Sequence, residues 1–267
     1  MSLTGNTSVL RLDDGTTAFR KALTGAPEGF FAFEAAGLET LRALGARVPT
    51  VYEVTDEHLI LEFIAPGGKS TTSADAAFGR DLARMHLAGQ HSATPDQHFG
   101  SLDGVSAWFL GAAPIDLRPA PTLYESLVVN RILPLTDQAV HRGLLNDQAR
   151  DLARSIQPEH LGPVEPPTIV HGDLWAGNRM IDASGANWLS DPSCHWGHRE
   201  QDIAMMHLFG GFGPTVMRNY ERIFPLAPGW EHRIAIFQLV PLLVHVLLFG
   251  AGYASSTLRA LTAATQV

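Results

Sequence analysis

Hydrophobic and polar residues fall into short β-like runs over the first part of the chain. Two such runs are joined by Asp14-Gly15, a dipeptide typical of tight hairpins, and "VPTVYEV" and "HLILEFI" follow as further strands. Between the hairpin and "VPTVYEV", apolar residues from Phe30 onward recur at helical spacing. This spacing predicts a helix that Pro27 opens and Gly45 stops. Residues 1–65 are therefore predicted to form a small antiparallel sheet with one helix.

Helical periodicity dominates after the loop-like segment "APGGKSTTS". The run "SADAAFGRDLARMHLAG" predicts a helix with a serine N-cap, and two further helices are predicted near residues 121–135 and 138–156. More helical stretches follow residue 202. We therefore predict an α+β, bilobal architecture in which residues 66–267 form the larger, mostly helical lobe.

One late segment, "RIAIFQLVPLLVHVLLFGAGYA", is apolar enough to be compared with a membrane span. A span needs about 20 predominantly apolar residues. Gln238, Pro241 and His245 interrupt this one, which favours a buried core helix kinked at the proline. Association with a membrane is therefore not expected.

Composition narrows the class of protein further. The chain has 267 residues, of which 45% are hydrophobic and 17% charged, as in an ordinary globular enzyme. The formal net charge is −8 and no Lys/Arg cluster stands out, so nucleic acid is not an expected partner. Cys194 is the single cysteine and no signal peptide is evident, which together predict a cytoplasmic location.

The stretch from residue 170 to 202, "VHGDLWAGNRMIDASGANWLSDPSCHWGHREQD", concentrates polar residues between apolar ones. Asp173 and Asn178 are five apart after an apolar run, and Asp191 follows thirteen residues later, across a predicted hairpin that turns at residues 183–185. Phosphoryl transfer to a hydroxyl needs a carboxylate that accepts the proton, beside an amide and a carboxylate that hold Mg²⁺. We therefore predict Asp173 as the catalytic base and Asn178 and Asp191 as the Mg²⁺ ligands.

The first part of the chain supplies the groups that a nucleotide requires. Lys21 lies within a predicted strand, and Glu34 lies thirteen residues later in the predicted helix. A strand lysine paired with a helix glutamate can hold the α- and β-phosphates of ATP. Backbone groups near Glu62 and Ile64, where "LILEFI" joins the lobes, could bind adenine. The ordered set predicts an ATP-dependent phosphotransferase of protein-kinase-like fold.

At these residues the sequence resembles the fructosamine kinase (ketosamine-3-kinase) family. The resemblance is carried by "HGDLWAGN", "SDPSCHWGHREQDIAMMHLFGGF" and "FQLVPLLVHVLLFGAGY", and by shorter segments spread over nearly the whole chain. That family shares the protein-kinase-like fold of aminoglycoside and choline phosphotransferases. The resemblance implies ATP-dependent phosphorylation of the sugar 3-hydroxyl of a ketosamine, which is an amine glycated by a sugar. Because the product is unstable and frees the amine, the implied role is deglycation.

The resemblance also implies positions for the acceptor. Trp175 would form a flat wall for the sugar–amine adduct, and His245 would be a polar contact from the late helix. Trp196 and His198 either line the acceptor site or belong to a folded patch of salt bridges with the charged residues that follow them.

Two departures from the family pattern bear on the site. Only residues 5–8 are available to cover the nucleotide phosphates before Lys21. In the late helix, where the family is richer in Tyr, His and Asn, this chain has Val240, Pro241, Val244 and Leu247. The acceptor pocket could therefore be drier and the preferred sugar different.

Three alternatives stay open at this point. A kinase of the same fold could act on an aminoglycoside, choline or another small hydroxyl compound. A nucleotide-binding pseudokinase would bind ATP without turnover. A metal-dependent hydrolase would draw its ligands from a different set: His171, Asp173, Asp191, His195 and His198. The sugar, the free or protein-bound state of the amine, the oligomeric state and the role of Cys194 also stay open.

Overall fold

The computed structural model describes residues 5–266. The small lobe is a four-stranded antiparallel sheet in the order β1-β2-β4-β3, with strands β1 (Gly5–Arg11), β2 (Thr17–Leu23), β3 (Val51–Val54) and β4 (His58–Glu62). The predicted hairpin is confirmed. The carboxylate of Asp14 accepts a hydrogen bond from the Thr16 amide at 2.8 Å, and Gly15 takes φ +84°. This left-handed conformation suits glycine, which explains the Asp-Gly pair at the turn.

Helix α1 (Phe30–Ala43) follows the hairpin and ends where predicted. Gly45 has φ +86°, and the Ala46 amide donates to the Leu41 carbonyl at 3.0 Å, so the last turn is closed by a left-handed glycine. The start differs slightly from the prediction. Pro27 precedes the helix rather than opening it, because Gly29 at φ +76° makes the turn into the first helical residue.

The larger lobe is mostly helical. Its elements are α2 (Thr72–Ser92), a π-helix (Glu125–Ile132), α3 (Leu133–His141), α4 (Asp147–Arg154), α5 (Glu200–Leu208), α6 (Pro214–Glu221), α7 (Trp230–Phe237), α8 (Leu239–Phe249) and α9 (Ala254–Ala264). Three two-stranded ladders flank the polar stretch: β5 (Phe109–Leu110) with β6 (Ala113–Pro114), β7 (Thr168–Val170) with β10 (His195–Gly197), and β8 (Arg179–Ile181) with β9 (Asn187–Leu189). The division at residue 65 falls between β4 and α2 and stays a prediction.

Two of the predicted helices need correction. The N-cap of α2 is Thr71, whose hydroxyl accepts from the Ala74 amide at 3.1 Å, and the predicted serine cap lies inside the first turn. The helix predicted over residues 138–156 is interrupted because Gly143, at φ +70°, ends α3. Asn146 then caps α4 by accepting from the Ala149 amide at 3.3 Å. A single favourable glycine conformation outweighs the continuous helical pattern here.

Helices α7 and α8 contain the long apolar segment. By length and composition Trp230–Phe249 could cross a membrane, with a mean hydropathy of 1.8, but 61% of it is buried inside the protein. The two helices meet at Gln238, because Pro241 has no amide hydrogen to donate to the carbonyl four residues earlier. The side-chain amide of Gln238 donates to the Ala204 carbonyl at 2.9 Å, which ties the break to α5. The prediction of a kinked core helix is confirmed.

Candidate active site

Lys21 on β2 and Glu34 on α1 form an ion pair between the sheet and the helix. The Lys21 Nζ lies 2.6 Å from Glu34 Oε1 and also contacts Asp191 Oδ1. Burial alone would lower the pKa of Lys21, but the two carboxylates outweigh it and raise the pKa, so the ammonium stays charged. A fixed positive charge therefore lies beside Asp191 where the lobes meet.

The loop after β7 is fixed by a buried aspartate. Asp202, in the first turn of α5, accepts hydrogen bonds from the amides of His171 at 2.7 Å and Gly172 at 2.8 Å, and from His86 Nε2 at 3.0 Å. Gly172 has φ +80°, and a Cβ there would lie 2.0 Å from the Ser193 carbonyl oxygen. The carboxylate of Asp202 therefore holds the loop that carries Asp173, and only glycine fits at the bend of this loop.

The structure brings Asp173, Asn178 and Asp191 together. The Asn178 Nδ2 donates to Asp173 Oδ2 at 3.2 Å and to the Asp173 carbonyl at 2.8 Å. Strands β8 and β9 form the predicted hairpin, which returns the chain to Asp191. Asp191 has φ +55°, and it alone among the non-glycine residues of the described range 5–266 has a positive φ. Such backbone strain concentrates at functional sites.

The two carboxylates differ in protonation. Burial, reinforced by the nearby charge of Asp191, raises the pKa of Asp173 to about 7. Burial would also raise the pKa of Asp191, but the Lys21 ammonium outweighs it and lowers that pKa. Asp191 is therefore ionised, while Asp173 is poised near neutral pH. A general base works best when its pKa lies near the working pH.

The donor atoms at this point suit a hard divalent cation. Asn178 uses its Nδ2 toward Asp173, which leaves its Oδ1 as a ligand atom, and Lys21 contacts Asp191 through Oδ1, which leaves Oδ2. Mg²⁺ is commonly held by one or two protein oxygens, with phosphate and water completing its octahedron. The residues present fit Mg²⁺.

Two cavities meet at Asp173. The first has a volume of about 400 Å³ and is lined by groups of both lobes, including Thr7, Lys21, Glu34, Asp173, Asn178 and Asp191. The second, of about 710 Å³, is lined by groups that include Asp173, Trp175, Phe209, His245, Phe249 and Tyr253. Both volumes are in the range of small-molecule sites. Asp173 therefore lies at the junction of the two cavities.

The chain matches the family model described as fructosamine kinase over residues 5–266. The chain belongs to the fructosamine kinase family. It is 34% identical over 247 residues to a probable ketoamine kinase of Enterococcus faecium, covering 89% of this chain and 83% of that protein. It is 30% identical over 255 residues to a chloroplastic protein-ribulosamine 3-kinase of Arabidopsis thaliana, covering 92% of this chain and 75% of that protein.

Solved structures give the fold of this family member. A candidate fructosamine-3-kinase of Thermobifida fusca, 35% identical, has a TM-score of 0.87 and covers 100% of this chain and 94% of that chain. A macrolide 2′-phosphotransferase, only 18% identical, has a TM-score of 0.62 with 99% and 89% coverage, and shows the fold alone. The predicted bilobal, protein-kinase-like α+β fold is confirmed.

The predicted hinge residues of this family member lie between the lobes. Glu62 ends β4, and its carboxylate accepts from the Thr50 hydroxyl at 2.8 Å. Ile64 follows in the connection and is 9% exposed. Neither lines the cavity that contains Lys21. Adenine binding by the backbone of this segment stays a prediction.

Two residues of the predicted phosphate cover, Asn6 and Thr7 on β1, line the cavity that contains Lys21, and residues 1–4 lie outside the described range.

Trp196 and His198 are not among the residues that line the second cavity, and their predicted contact with the substrate stays a prediction. Trp196 exchanges backbone hydrogen bonds of 2.8 Å with Gly100, and buried His198 stacks on Phe237 with ring centroids 5.2 Å apart. The charged residues that follow are buried in ion pairs: Arg199 with Glu165 at 2.7 Å, and Glu200 with Arg233 at 2.6 Å. The geometry favours the salt-bridge patch, because His198, Arg199 and Glu200 are all buried.

Trp175 and His245 both line the second cavity, together with residues that the sequence did not indicate. Phe209 in "LFGGF" and Tyr253 in "FGAGY" line it from two helix ends. The sequence signal that could have indicated Phe209 and Tyr253 is an aromatic residue beside a glycine in each of these segments. Gly111, in the turn between β5 and β6, lines both cavities.

The site does not provide what the hydrolase alternative needs. Among residues 5–266, no group of three or more His, Cys, Asp or Glu side chains is placed to hold a metal ion. The ring of His195 is buried between the Ser193 carbonyl at 2.7 Å and the Arg131 guanidinium at 3.3 Å. These nitrogens are already satisfied by protein partners, which disfavours a histidine-rich metal centre.

Proposed function

We propose that this chain is an ATP-dependent kinase that phosphorylates the sugar 3-hydroxyl of ketosamines. The observation that carries the proposal is the position of Asp173 at the junction of the two cavities, with a pKa of about 7 and with Asn178 and Asp191 beside it. Membership of the fructosamine kinase family supports the ketosamine as acceptor. Release of the amine from the unstable product, and a cytoplasmic location, belong to the same proposal.

In the proposed mechanism, each residue has one task. Asp173 accepts the proton of the acceptor hydroxyl as the hydroxyl oxygen attacks the γ-phosphorus of ATP; the bond from that phosphorus to the β,γ-bridging oxygen breaks, and ADP leaves. Lys21, fixed by Glu34, neutralises the nucleotide phosphates. Asn178 and Asp191 would hold Mg²⁺, which supplies charge neutralisation at the phosphate oxygens. Asp202 keeps the Asp173 loop in place through its two backbone amides.

The same-fold and pseudokinase alternatives are less well supported. An aminoglycoside is polycationic and needs an acidic pocket, yet Asp173 is the single carboxylate among the described residues that line the second cavity. A pseudokinase would lack part of the catalytic set. Here Lys21, Glu34, Asp173, Asn178 and Asp191 all meet around one cavity.

The proposal is tested by ADP release with ATP and Mg²⁺. Fructosyl-, ribulosyl- and erythrulosyl-lysine serve as acceptors, kanamycin and choline as comparisons, and Asp173→Ala as the blank. Turnover on ketosamines alone is expected, and the order of rates ranks the sugars. Turnover only on kanamycin or choline would refute the substrate, and ATP binding without turnover on any acceptor would refute the activity.

A further inference from the structure

The second cavity has a continuous aromatic wall, consisting of Trp175, Phe209, His245, Phe249 and Tyr253. Neighbouring rings are in contact from one end to the other. The centroid of Phe209 lies 6.1 Å from Trp175 and 5.3 Å from His245, and the His245 centroid lies 5.4 Å from Phe249 and 4.9 Å from Tyr253. The wall therefore runs from the catalytic loop to the C-terminal end of α8.

Fixed charge is scarce along this wall. Among the described residues that line the cavity, the ionisable side chains are Asp173, His245 and Tyr253, and neither lysine nor arginine is present. The His245 Nδ1 donates to the Pro241 carbonyl at 2.6 Å within its own helix. A carboxylate bound against the wall would therefore find no fixed cationic partner and would face the negative faces of the rings.

The direction of the acceptor follows from the position of Asp173. The reacting hydroxyl must lie at this carboxylate, next to Trp175, so the rest of the molecule extends along the wall. At the outer end Phe249 is 66% exposed and Leu248 42%, which gives the mouth an apolar rim. The secondary ammonium of a ketosamine can lie over the ring faces, and the carbons attached to it can pack on the rim.

We propose that the aromatic wall selects ketosamines whose amine carries an uncharged alkyl or aryl substituent. The four-carbon stem of an ε-glycated lysine meets this requirement, whereas an α-glycated amino acid, with a carboxylate on the carbon next to the amine, does not. This inference rests on the proposed kinase function and specifies its substrate class. Phe209 and Phe249 are the specificity-determining residues, since they lie beyond the catalytic loop.

A substitution at Gly177 is a second way to test the role of the aromatic wall. A Cβ at this position would lie 2.2 Å from the Trp175 ring, so the indole folds directly over the glycine. In Gly177→Ala the indole must move, which shifts the inner end of the wall and leaves Phe249 in place. The KM for ketosamines is then expected to rise more than the KM for ATP.

The test holds the sugar constant and varies the amine. The kcat/KM values are measured with saturating ATP for N-ribulosyl-benzylamine, N-ribulosyl-butylamine and N-ribulosyl-glycine. We expect the kcat/KM of the two ketosamines with uncharged substituents to exceed that of N-ribulosyl-glycine by roughly 10- to 100-fold, mainly through KM. Phe209→Ala and Phe249→Ala should reduce this ratio to a few-fold. Tyr52→Ala, which removes an exposed ring on β3 in the other lobe, should leave it unchanged.

The outcomes separate the two proposals. Equal kcat/KM values for N-ribulosyl-glycine and N-ribulosyl-benzylamine would overturn the specificity inference and leave the kinase function intact. The same conclusion would follow if the ratio were unchanged in both Phe209→Ala and Phe249→Ala while thermal unfolding showed that both variants are folded. Failure to phosphorylate all three ribulosylamines, together with failure on fructosyl- and erythrulosyl-lysine, would overturn both.

Discussion

At the residue scale, two carboxylates at one site have opposite tendencies. Asp191 lies against the Lys21 ammonium and has a lowered pKa, whereas Asp173 has a pKa raised to about 7 by burial and by the charge of Asp191. The difference suits Asp191 to the proposed role of metal ligand and Asp173 to the proposed role of proton acceptor. The side-chain amide of Asn178 donates a hydrogen bond to the Asp173 carboxylate.

Replacing Asp173 by asparagine keeps the shape of the side chain and removes the proton acceptor. Turnover is expected to fall by about 10²- to 10⁴-fold. ATP binding should stay close to wild type, because Lys21, Glu34 and Asp191 are unchanged. ADP release and an ATP titration measure the two quantities. Asp191→Ala is the matched comparison, since it should lose Mg²⁺-dependent nucleotide binding instead. Near-normal turnover in Asp173→Asn would contradict the assignment of the base.

At the element scale, helix α1 is held against the loop that carries Asp191. Gly37, three residues after Glu34, makes this close approach possible. A Cβ at Gly37 would lie 2.9 Å from the Cys194 Cβ and 3.1 Å from the Pro192 Cγ. The position of the Lys21–Glu34 ion pair relative to Asp191 therefore depends on how closely a helix of the small lobe packs on the large one.

Gly37→Ala is expected to push α1 away from this loop. The free energy of unfolding should fall by about 1–3 kcal/mol, as for other overpacked sites. The KM for ATP should rise because α1, which carries Glu34, moves away from the loop that carries Asp191. Urea unfolding and ATP titration measure both effects. Gly252→Ala is the control, since no atom lies within 4 Å of its added Cβ. Identical behaviour of the two variants would show that the close packing does not matter.

At the scale of the whole molecule, one apolar cluster crosses from lobe to lobe. It joins Leu38 and Leu41 of α1 and Leu59 of β4 to Phe78 and Leu82 of α2. Two buried histidines of the large lobe, His195 and His198, stay neutral. Burial lowers the pKa of His195 to about 3 and that of His198 to about 4. At His198 the charge of Glu165 does not reverse the shift, and the charges of Arg199 and Arg233 add to it.

These two histidines predict a loss of stability in acid. In the unfolded chain each takes up a proton near its ordinary pKa of about 6.5, whereas in the folded protein it does so only near pH 3 to 4. The stability is therefore fully present above pH 6.5 and is lost as the pH falls below it. Each histidine should lower the free energy of unfolding by up to about 1.4 kcal/mol per pH unit.

Urea unfolding at pH 7.5, 6.5 and 5.5 measures this slope. His195→Gln and His198→Gln should each remove one histidine's share of it, even where the substitution lowers stability at every pH. Tyr52→Ala, outside the buried patch, should keep the full slope. A slope that is the same in His195→Gln, His198→Gln and the wild type would contradict the prediction.

Much of this chain follows from local chemistry and could be predicted from the sequence. The hairpin at Asp14-Gly15, the glycine end of α1 and the proline break before α8 depend on residues within a few positions of one another. The order of Lys21, Glu34, Asp173, Asn178 and Asp191 also indicated one site, because these residue types have few other reasons to occur in that order.

Only the tertiary structure decided the rest, because it depends on packing between segments far apart in the chain. Trp196 and His198 lie in the same stretch of sequence as Asp173, yet neither lines a cavity at Asp173. The aromatic wall draws Trp175, Phe209 and Tyr253 from separate elements. The pKa of Asp173 likewise depends on burial and on Asp191, and neither is encoded at Asp173 itself.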